Sequence, residues 1–396
     1  MTANISNCHY DGEINVTANY AGGAVGVVQT KCSEFTMSNV TTKGRVTGVQ
    51  YVGGAIGAAM GTKDQNVSNC SSSAIVESTG IKTGGFVGAV TSTCSFTGCY
   101  ATGAVESSAR SLGGFIGHNN GANTTLTNCY ATGDVKSTTD GYVGGFLGNT
   151  ETNKTILTGC YATGKVTCTG TSGNNVGGLV GVAQANIDIN KCYSTGDVEG
   201  GAAGRCAGIL GQITAKAVIK DCYSTSNVKS TGMQHGGIVG FVANSNGEAD
   251  IQNCFATGEI GTGNGCAGIV GNSRGKANGT SVQNCIAWNP KISSTIRGAG
   301  NYAPAAIVGS CYFAGTFKNC WRRADMTLVD KENLSKLVDQ DDCVGQLPVL
   351  AGASGDPNRA YQGKAAAKGA TISSVAKTIG WDETIWDLSG ATPKLK

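Results

Sequence analysis

Apolar and polar positions alternate along this chain in a pattern that returns about every 30 residues. In each copy an apolar side chain stands three residues before a cysteine, and in the first nine copies Ile or Val stands six residues after it. The phrase is clearest as "LTNCYATGDV" at Leu126–Val135. In eleven copies the cysteine position holds Cys8, Val40, Cys70, Cys99, Cys129, Cys160, Cys192, Cys222, Cys254, Cys285 and Cys320. A fixed period of this length predicts a stacked-repeat architecture.

Each copy closes with a Gly-Gly-apolar-apolar-Gly phrase, such as "GGFVG" from Gly84 and "GGFLG" from Gly144. Short β-branched runs separated by Gly, Asn and Asp predict three strands in each coil of a solenoid. The fold class is therefore all-β: a right-handed parallel β-helix over residues 1–320, with about 10 coils of ~30 residues. An Asn before the cysteine predicts a bend whose side chain bonds either its own backbone or a copy one coil away. A Gly four residues after the cysteine predicts a positive-φ corner.

The repeat stops after Cys320. Residues 321–396 are expected to form a C-terminal capping segment, because an open solenoid end must be covered. Within that segment the polar stretch Asp325–Asp342 predicts a short helix. At the other end the repeat begins almost at Met1, so we expect this sequence to be part of a larger polypeptide.

Composition narrows the classes of partner. The chain has 62 Gly, 14% charged and 6% aromatic residues, and a net charge of +3 without a basic block. No nucleic-acid partner is therefore expected. The apolar runs are too short for a membrane span in this segment.

The 17 cysteines resemble a disulfide framework in number but not in position. Ten of them occupy one repeat position, so they are expected to stack about 4.8 Å apart in successive coils. A buried thiol stack is the favoured interpretation, because Cys behaves as a small apolar residue. Adjacent members also fall within the Cα range of a disulfide, so both states stay open.

A search for catalytic chemistry predicts none. The histidines His9, His118 and His235 lie outside any nucleophile motif, and no His-Glu-x-x-His sequence occurs. Cys206, His235 and Cys266 precede the Gly-Gly phrase in three consecutive coils and are ligand types that zinc prefers, but a row at strand spacing is linear rather than tetrahedral. The acidic residues of the repeat alternate with Ala, Lys and Asn, which leaves no adjacent carboxylate pair for glycoside cleavage. We expect no metal and no cofactor.

An aromatic row is the candidate ligand-binding site. The residue after the cysteine is aromatic in six consecutive coils: Tyr100, Tyr130, Tyr161, Tyr193, Tyr223 and Phe255. If the cysteine points inward, strand alternation turns these rings outward, where they can bind sugar faces or a partner surface. The alternative is that they fill the edge of the core or only stack on each other. A parallel threonine row suggests ice binding, but the bulky tyrosines two positions earlier disfavour it.

The phrases "NCYATG" and "VGGF", with the closing "GWDETIWDLSGATPKLK", resemble the GLUG-motif repeat proteins. The likeness covers residues 4–320 and 379–396. The resemblance implies a bacterial cell-surface or secreted protein, of a group that includes adhesins and some immunoglobulin A1 peptidases. Those peptidases rely on a zinc His-Glu-x-x-His motif that this sequence lacks, so the protease activity is not implied.

The resemblance and the residues together lead to one functional hypothesis. We expect a non-enzymatic, extracellular or cell-surface adhesion or display rod, whose partner is a host or surface glycan or a protein. The alternative is a β-helical polysaccharide-binding or polysaccharide-cleaving protein.

Overall fold

The computed structural model of the protein describes residues 1–108, 110–202, 204–243, 246–294, 304–331, 333–334, 337–347 and 359–396. They form a parallel β-solenoid of about 10 turns, which confirms the predicted all-β fold class. Successive coils lie in register, so that Leu126 pairs with Phe96 on one side and with Leu157 on the other. Each coil supplies half of every hydrogen-bond ladder to its neighbour.

A coil contains five short strands in four sheets, which we call A to D, rather than the three strands predicted. One complete coil consists of Cys94–Thr97, Tyr100–Ala101, Val105–Ser107, Ser111–Gly113 and Ile116–Asn119. The first strand belongs to sheet A, the next two to sheet B, and the last two to sheets C and D. The prediction missed two breaks, because the chain bends both after Ala101 and between Gly114 and Phe115.

Sheet A has twelve strands: Thr2–Ser6, Glu34–Ser38, Gln65–Ser68, Cys94–Thr97, Thr124–Thr127, Thr155–Thr158, Ile187–Asn190, Lys216–Lys220, Glu248–Gln252, Thr280–Gln283, Gly315–Lys318 and Cys343–Gly345. The first column of sheet B is His9–Asn15, Thr41–Gly48, Ser71–Ser72, Tyr100–Ala101, Tyr130–Ala131, Tyr161–Ala162, Tyr193–Ser194, Tyr223–Ser224, Phe255–Ala256, Ile286–Ala287, Trp321–Arg322 and Lys364–Ala365. Its second column is Ile75–Ser78, Val105–Ser107, Val135–Ser137, Val166–Cys168, Val198–Gly200, Val228–Ser230, Ile260–Gly261, Lys291–Ser294, Thr327–Asp330 and Asn333–Leu334.

Sheets C and D have nine strands each. Those of sheet C are Ala21–Gly22, Val52–Gly53, Thr83–Gly84, Ser111–Gly113, Tyr142–Gly144, Asn175–Gly177, Arg205–Ala207, Met233–Gly236 and Asn264–Ala267. Those of sheet D are Val25–Val28, Ile56–Ala59, Val87–Val90, Ile116–Asn119, Leu147–Thr150, Val180–Ala183, Leu210–Ile213, Val239–Val242 and Val270–Ser273. A hairpin (Trp386–Asp387 and Lys394–Leu395) and helix α1 (Ile372–Thr378) complete the described elements.

The predicted core positions are buried through the middle of the rod. Leu126, Val135 and Phe146 are at most 1% exposed, and the cysteines of the repeat lie beside them. All 17 cysteines are free thiols, and those from Cys70 to Cys320 at the repeat position are buried. Backbone N–H groups donate to sulfurs in the next coil; for example, the N–H of Cys160 donates to Sγ of Cys192 at 3.3 Å. The stack is therefore part of the core, as the favoured interpretation predicted.

The Gly-Gly phrase is required by close backbone approach. A Cβ atom on Gly114 would lie 2.1 Å from the carbonyl oxygen of Gly145 in the next coil. One on Gly117 would lie 2.5 Å from the carbonyl oxygen of Thr83 in the preceding coil. Sheets C and D approach so closely that only glycine fits between their backbones.

The asparagine before the cysteine behaves as predicted. Asn128 has a φ of 52°, in the left-handed region, and Asn253 Nδ2 donates to Oδ1 of Asp221 at 3.0 Å, one coil away. The prediction for the glycine four residues after the cysteine was wrong, because only Gly44 of that row has a left-handed φ. Glycine is needed at Gly133 because a Cβ there would lie 2.0 Å from the carbonyl oxygen of Gly103.

The C-terminal residues close the solenoid in two ways. The coils continue past Cys320 to Thr327–Asp330, and the antiparallel strands Asn333–Leu334 and Cys343–Gly345 then end the parallel ladders. The predicted helix at Asp325–Asp342 is wrong, because the described residues of that stretch form strands and irregular chain. Residues 364–396, which we call the C-terminal segment, instead pack against the side of sheet B through helix α1 and the hairpin. No helix in the described part of the chain is long and apolar enough to cross a membrane.

Candidate functional site

The aromatic row lies on the outer surface of sheet B. Tyr100 pairs in register with Tyr130, and the ladder continues through Tyr161, Tyr193 and Tyr223. These five tyrosines are half-buried, whereas the cysteines before them are fully buried. The thiol therefore points inward and the ring points outward, which is one of the arrangements that the sequence left open.

The rings stack on one another along the solenoid axis. Neighbouring centroids are 4.7 Å apart between Tyr100 and Tyr130 and 4.8 Å apart between Tyr193 and Tyr223, with interplanar angles of 1° and 6°. The ring faces are thus occupied by each other, and the surface presents ring edges and phenol hydroxyls. Burial raises the pKa of Tyr130, Tyr161 and Tyr193, and that of Tyr223 to about 12, so the phenols stay protonated donors at neutral pH.

Phe255, the last member of the predicted row, is fully buried and cannot contact a ligand. The C-terminal segment covers it with two indoles, whose centroids lie 6.2 Å (Trp381) and 5.9 Å (Trp386) from the phenyl ring. Trp386 also reaches Tyr223 at 6.3 Å. The candidate surface is therefore the tyrosine stripe, which we define as Tyr100, Tyr130, Tyr161 and Tyr193 with the partly covered Tyr223.

The C-terminal segment is fixed on the row by hydrogen bonds as well as by apolar packing. Trp381 Nε1 donates to the carbonyl oxygen of Asn284 at 3.0 Å, and Trp386 Nε1 donates to Oδ1 of Asp221 at 3.3 Å. Ile286 replaces tyrosine one coil beyond Phe255 and is also fully buried beneath the segment. The row becomes less polar where the segment covers it.

A cleft of about 440 Å³ opens beside this docked segment. One wall comes from the repeat position two residues after the aromatic row, which holds Thr225, Thr257, Trp288 and Arg323 in consecutive coils. The other wall is formed by the C-terminal segment around Thr371 and Thr392. Arg323 is held by a bidentate ion pair, with Nε and Nη2 at 2.7 and 2.8 Å from the two carboxylate oxygens of Asp325. This pair raises the pKa of Arg323 and lowers that of Asp325.

The Cys206, His235 and Cys266 row is a core position. All three side chains have no exposed surface, and the apolar Val176 pairs with Cys206 one coil earlier. Burial lowers the pKa of His235 to about 4 and raises those of Cys206 and Cys266 to about 12. Over the described residues, no three His, Cys, Asp or Glu side chains are grouped to hold a metal ion. The three side chains therefore belong to the core of the solenoid.

The carboxylates of the repeat hold neighbouring coils together. Asp134 Oδ1 accepts from the backbone N–H of Lys165 at 2.8 Å, and Asp197 Oδ1 accepts from that of Asn227 at 3.1 Å. In the same region Lys136 Nζ pairs with Glu106 at 2.7 Å. These carboxylates face backbone donors and cations, which is a structural arrangement rather than an acid–base pair.

His118 is a buried titratable group that sequence reasoning placed in no motif. Its Nε2 lies 3.0 Å from Oε2 of Glu151 in the next coil, and its side chain is 4% exposed. Burial lowers its pKa to about 4, although Glu151 opposes the shift.

Trp288 was also missed by sequence reasoning, although its signal was in the sequence: it follows a run of six threonines at the same repeat position.

The fold and these rows define a parallel β-solenoid built from a 30-residue repeat, with an outward tyrosine stripe. The chain carries three GLUG motifs, which the family model matches at residues 108–136, 139–167 and 172–199. A comparison with curated proteins gives no match. A solved structure of a proposed immunoglobulin A1 protease from Bacteroides ovatus covers 75% of this chain and 86% of its own, at 17% identity and a TM-score of 0.48.

Proposed function

We propose that this chain is a non-enzymatic, extracellular bacterial segment that acts as an adhesion or display rod. The observation that carries the proposal is the tyrosine stripe, in which four half-buried rings stand side by side on one face from Tyr100 to Tyr193. About ten coils at roughly 4.8 Å give a rod of about 50 Å, long enough to separate a binding surface from an attachment point.

The chemistry of the stripe suits a partner rich in oxygen atoms. The stacked rings present hydrogen-bearing edges, which carry partial positive charge, and hydroxyl groups that both donate and accept. Glycan hydroxyls and protein carbonyl groups match this surface. The C-terminal segment supports the proposal, because it docks Trp386 against Tyr223 on the continuation of the same row.

Two further observations favour adhesion over polysaccharide cleavage. The repeat carboxylates bond backbone N–H groups and cations of adjacent coils, as Asp134 does with Lys165. The GLUG motifs resemble repeats of bacterial cell-surface and secreted proteins, which supports an extracellular site of action.

A glycan array probed with the full chain tests the proposal, in parallel with binding to immobilised extracellular-matrix proteins. We expect retention of at least one ligand class, with a loss of about tenfold or more in the Tyr161→Ala/Tyr193→Ala double variant, because truncation removes two ring edges and two hydroxyls. The matched control is Thr125→Ala/Thr158→Ala, two outward residues of sheet A in neighbouring coils. Equal binding by the double variant and the wild type would show that the stripe is purely structural.

A further inference from the structure

The cleft beside the C-terminal segment is assembled from two distant parts of the chain. Coils that contain Thr225, Thr257 and Trp288 supply one wall, and residues 370–372 with Ala391 and Thr392 supply the other. Its volume of about 440 Å³ falls at the lower end of the roughly 300–1,000 Å³ typical of small-molecule sites. The cleft exists only because the C-terminal segment packs on the side of the solenoid instead of only covering its end.

The side chains at one position of the repeat change in chemical type where the cleft lies. Threonine occupies the position in six consecutive coils, the last two being Thr225 and Thr257; Trp288 and Arg323 then follow in register. Backbone N–H groups of both residues donate to the preceding coil, from Trp288 to Ala256 and from Arg323 to Ala287. The ladder therefore continues unbroken, and only the side chains depart from the repeat. Trp288 packs at the edge of the apolar cluster that the C-terminal segment forms on sheet B, so the change of side chain coincides with the place where that segment docks.

Trp288 differs from the other large rings nearby in what its face contacts. The tyrosines use their faces to stack on each other, and Trp381 packs on Trp386 at 4.8 Å. Among the described rings, Trp288 takes part in no ring pair at these distances, and its half-buried indole lines the cleft. An aromatic face that lines a cleft is the feature that binds the apolar C–H face of a sugar ring.

Polar groups complete the requirements of a sugar site. Arg323 lines the cleft and is held in place by its ion pair with Asp325, and Thr225 and Thr257 place hydroxyls along one wall. Because Asp325 neutralises Arg323, none of the described residues that line the cleft is an unpaired cation that would select an acidic ligand. The guanidinium has five N–H groups and Asp325 engages two of its nitrogens, so further donors are left for the hydroxyl groups of a ligand.

We propose that this cleft binds a neutral saccharide of one or two rings, stacked on Trp288 and hydrogen-bonded by the Arg323–Asp325 pair. This proposal adds a ligand class to the proposed adhesion function. Its biological role rests on that function, whereas sugar binding by the cleft does not. The tyrosine stripe presents ring edges and suits a long polymer or a protein surface, whereas the cleft holds a single chain end or a short unit.

Titration of the full chain with a panel of neutral mono- and disaccharides (glucose, galactose, mannose and N-acetylglucosamine series) tests the inference by calorimetry and tryptophan fluorescence. We expect one site per chain for at least one sugar series, together with a change in emission. Trp381 and Trp386 are only 4% and 0% exposed, and the half-buried Trp321 is not among the residues that line the cleft. The change in emission should therefore be lost in Trp288→Phe while binding stays within about threefold. Trp288→Ala should weaken binding about tenfold or more, since the stacking face is gone.

Two controls separate the outcomes. Arg323→Gln keeps the packing of the wall and should weaken binding several-fold, so a folding defect in Trp288→Ala does not decide the question. Thr125→Ala/Thr158→Ala, on the outer side of sheet A, should bind the short sugars like the wild type. If no sugar of the panel binds, or if Trp288→Ala and Arg323→Gln both bind like the wild type, the cleft is not a saccharide site. If only the tyrosine double variant loses its ligand, the adhesion proposal stands and the cleft proposal falls.

Discussion

The indole N–H of Trp386 donates a hydrogen bond to Oδ1 of Asp221 at 3.3 Å, across 165 residues of sequence. Asp221 is itself 7% exposed and accepts from Asn253 Nδ2 at 3.0 Å. The aspartate stands where other coils place asparagine before the cysteine. One carboxylate oxygen thus joins the side-chain ladder of the solenoid to the C-terminal segment.

Trp386→Ala is expected to release the C-terminal segment from the solenoid. Removing a fully buried indole costs about 3–5 kcal/mol, because packing and the cavity both count. Limited proteolysis should then cut within residues 364–396, while circular dichroism of the solenoid stays unchanged. Trp386→Phe keeps most of the packing and should be cut more slowly. Equal protease resistance of Trp386→Ala and the wild type would mean that the segment is held mainly by other contacts.

Leu126→Asp should destabilise the solenoid itself. Leu126 is 1% exposed and lies between Phe96 and Leu157 of the neighbouring coils, so the substitution buries a carboxylate without a partner. We expect a loss of more than about 4 kcal/mol in the free energy of unfolding, or failure to fold. Thr125→Asp, on the outer side of the same strand, should cost less than about 1 kcal/mol in the same denaturation experiment.

Gly114→Ala tests the claim that close backbone approach requires the Gly-Gly phrase. The new methyl group would lie 2.1 Å from the carbonyl oxygen of Gly145, so the two coils must move apart and lose ladder hydrogen bonds. A marked fall in melting temperature is expected. Gly390→Ala is the control, because its nearest atom would be the Thr392 oxygen at 3.7 Å. Similar melting temperatures for both variants would contradict the packing argument.

His235 should make the protein acid-sensitive. Burial lowers its pKa from 6.5 to about 4, so the unfolded chain binds a proton more readily than the folded one in that range. The stabilisation is complete above pH 6.5 and is lost as the pH falls towards 4, by up to about 3 kcal/mol. His235→Val, the residue type at the matching Val143 and Val176, should make the stability curve less steep between pH 6.5 and 4, with the remaining slope due to the similarly shifted His118. Parallel curves for variant and wild type across that interval would contradict the assignment.

The thiol stack predicts a large difference between native and denatured reactivity. Cys8 is exposed, whereas the repeat cysteines from Cys70 to Cys320 are buried. Hydrogen bonding to Cys129 and burial raise the pKa of Cys99, a member of the stack, to about 12, so little thiolate is present there at pH 8. A thiol reagent should modify Cys8 first in the native protein and all 17 cysteines after denaturation without reductant. Fewer than 17 in the denatured sample would mean that disulfides are present.

Much of the architecture followed from the sequence alone. The 30-residue period and the apolar positions typified by Leu126 and Val135 were predicted, because both depend on local strand alternation repeated many times. The direction of Tyr100 was left open, since a bend at the asparagine could have shifted the alternation. The same weak local preference acts in every coil, and each coil packs on its neighbours, so the preferences together specify one fold. The asparagine ladder was predictable for the same reason.

The division of each coil into five strands was decided by packing between coils. Whether Gly114 bends the chain depends on how closely the backbone of Gly145 approaches. Neither of the two Gly-Gly phrases specifies that distance by itself. The glycine at Gly133 is another example, since its requirement comes from the carbonyl oxygen of Gly103 rather than from its own φ.

The candidate sites depended most on tertiary structure. Sequence placed Phe255 in the same row as Tyr193, and only the fold showed that Trp381 and Trp386 cover it. Trp288 follows the threonine row in the sequence but was not recognised there, because the cleft that it lines needs the C-terminal segment as its second wall. A repeat determines what stacks on its own copies, because that information is local and periodic. Contacts between the repeat and a non-repeating segment have no period, so they are settled only when the chain is folded.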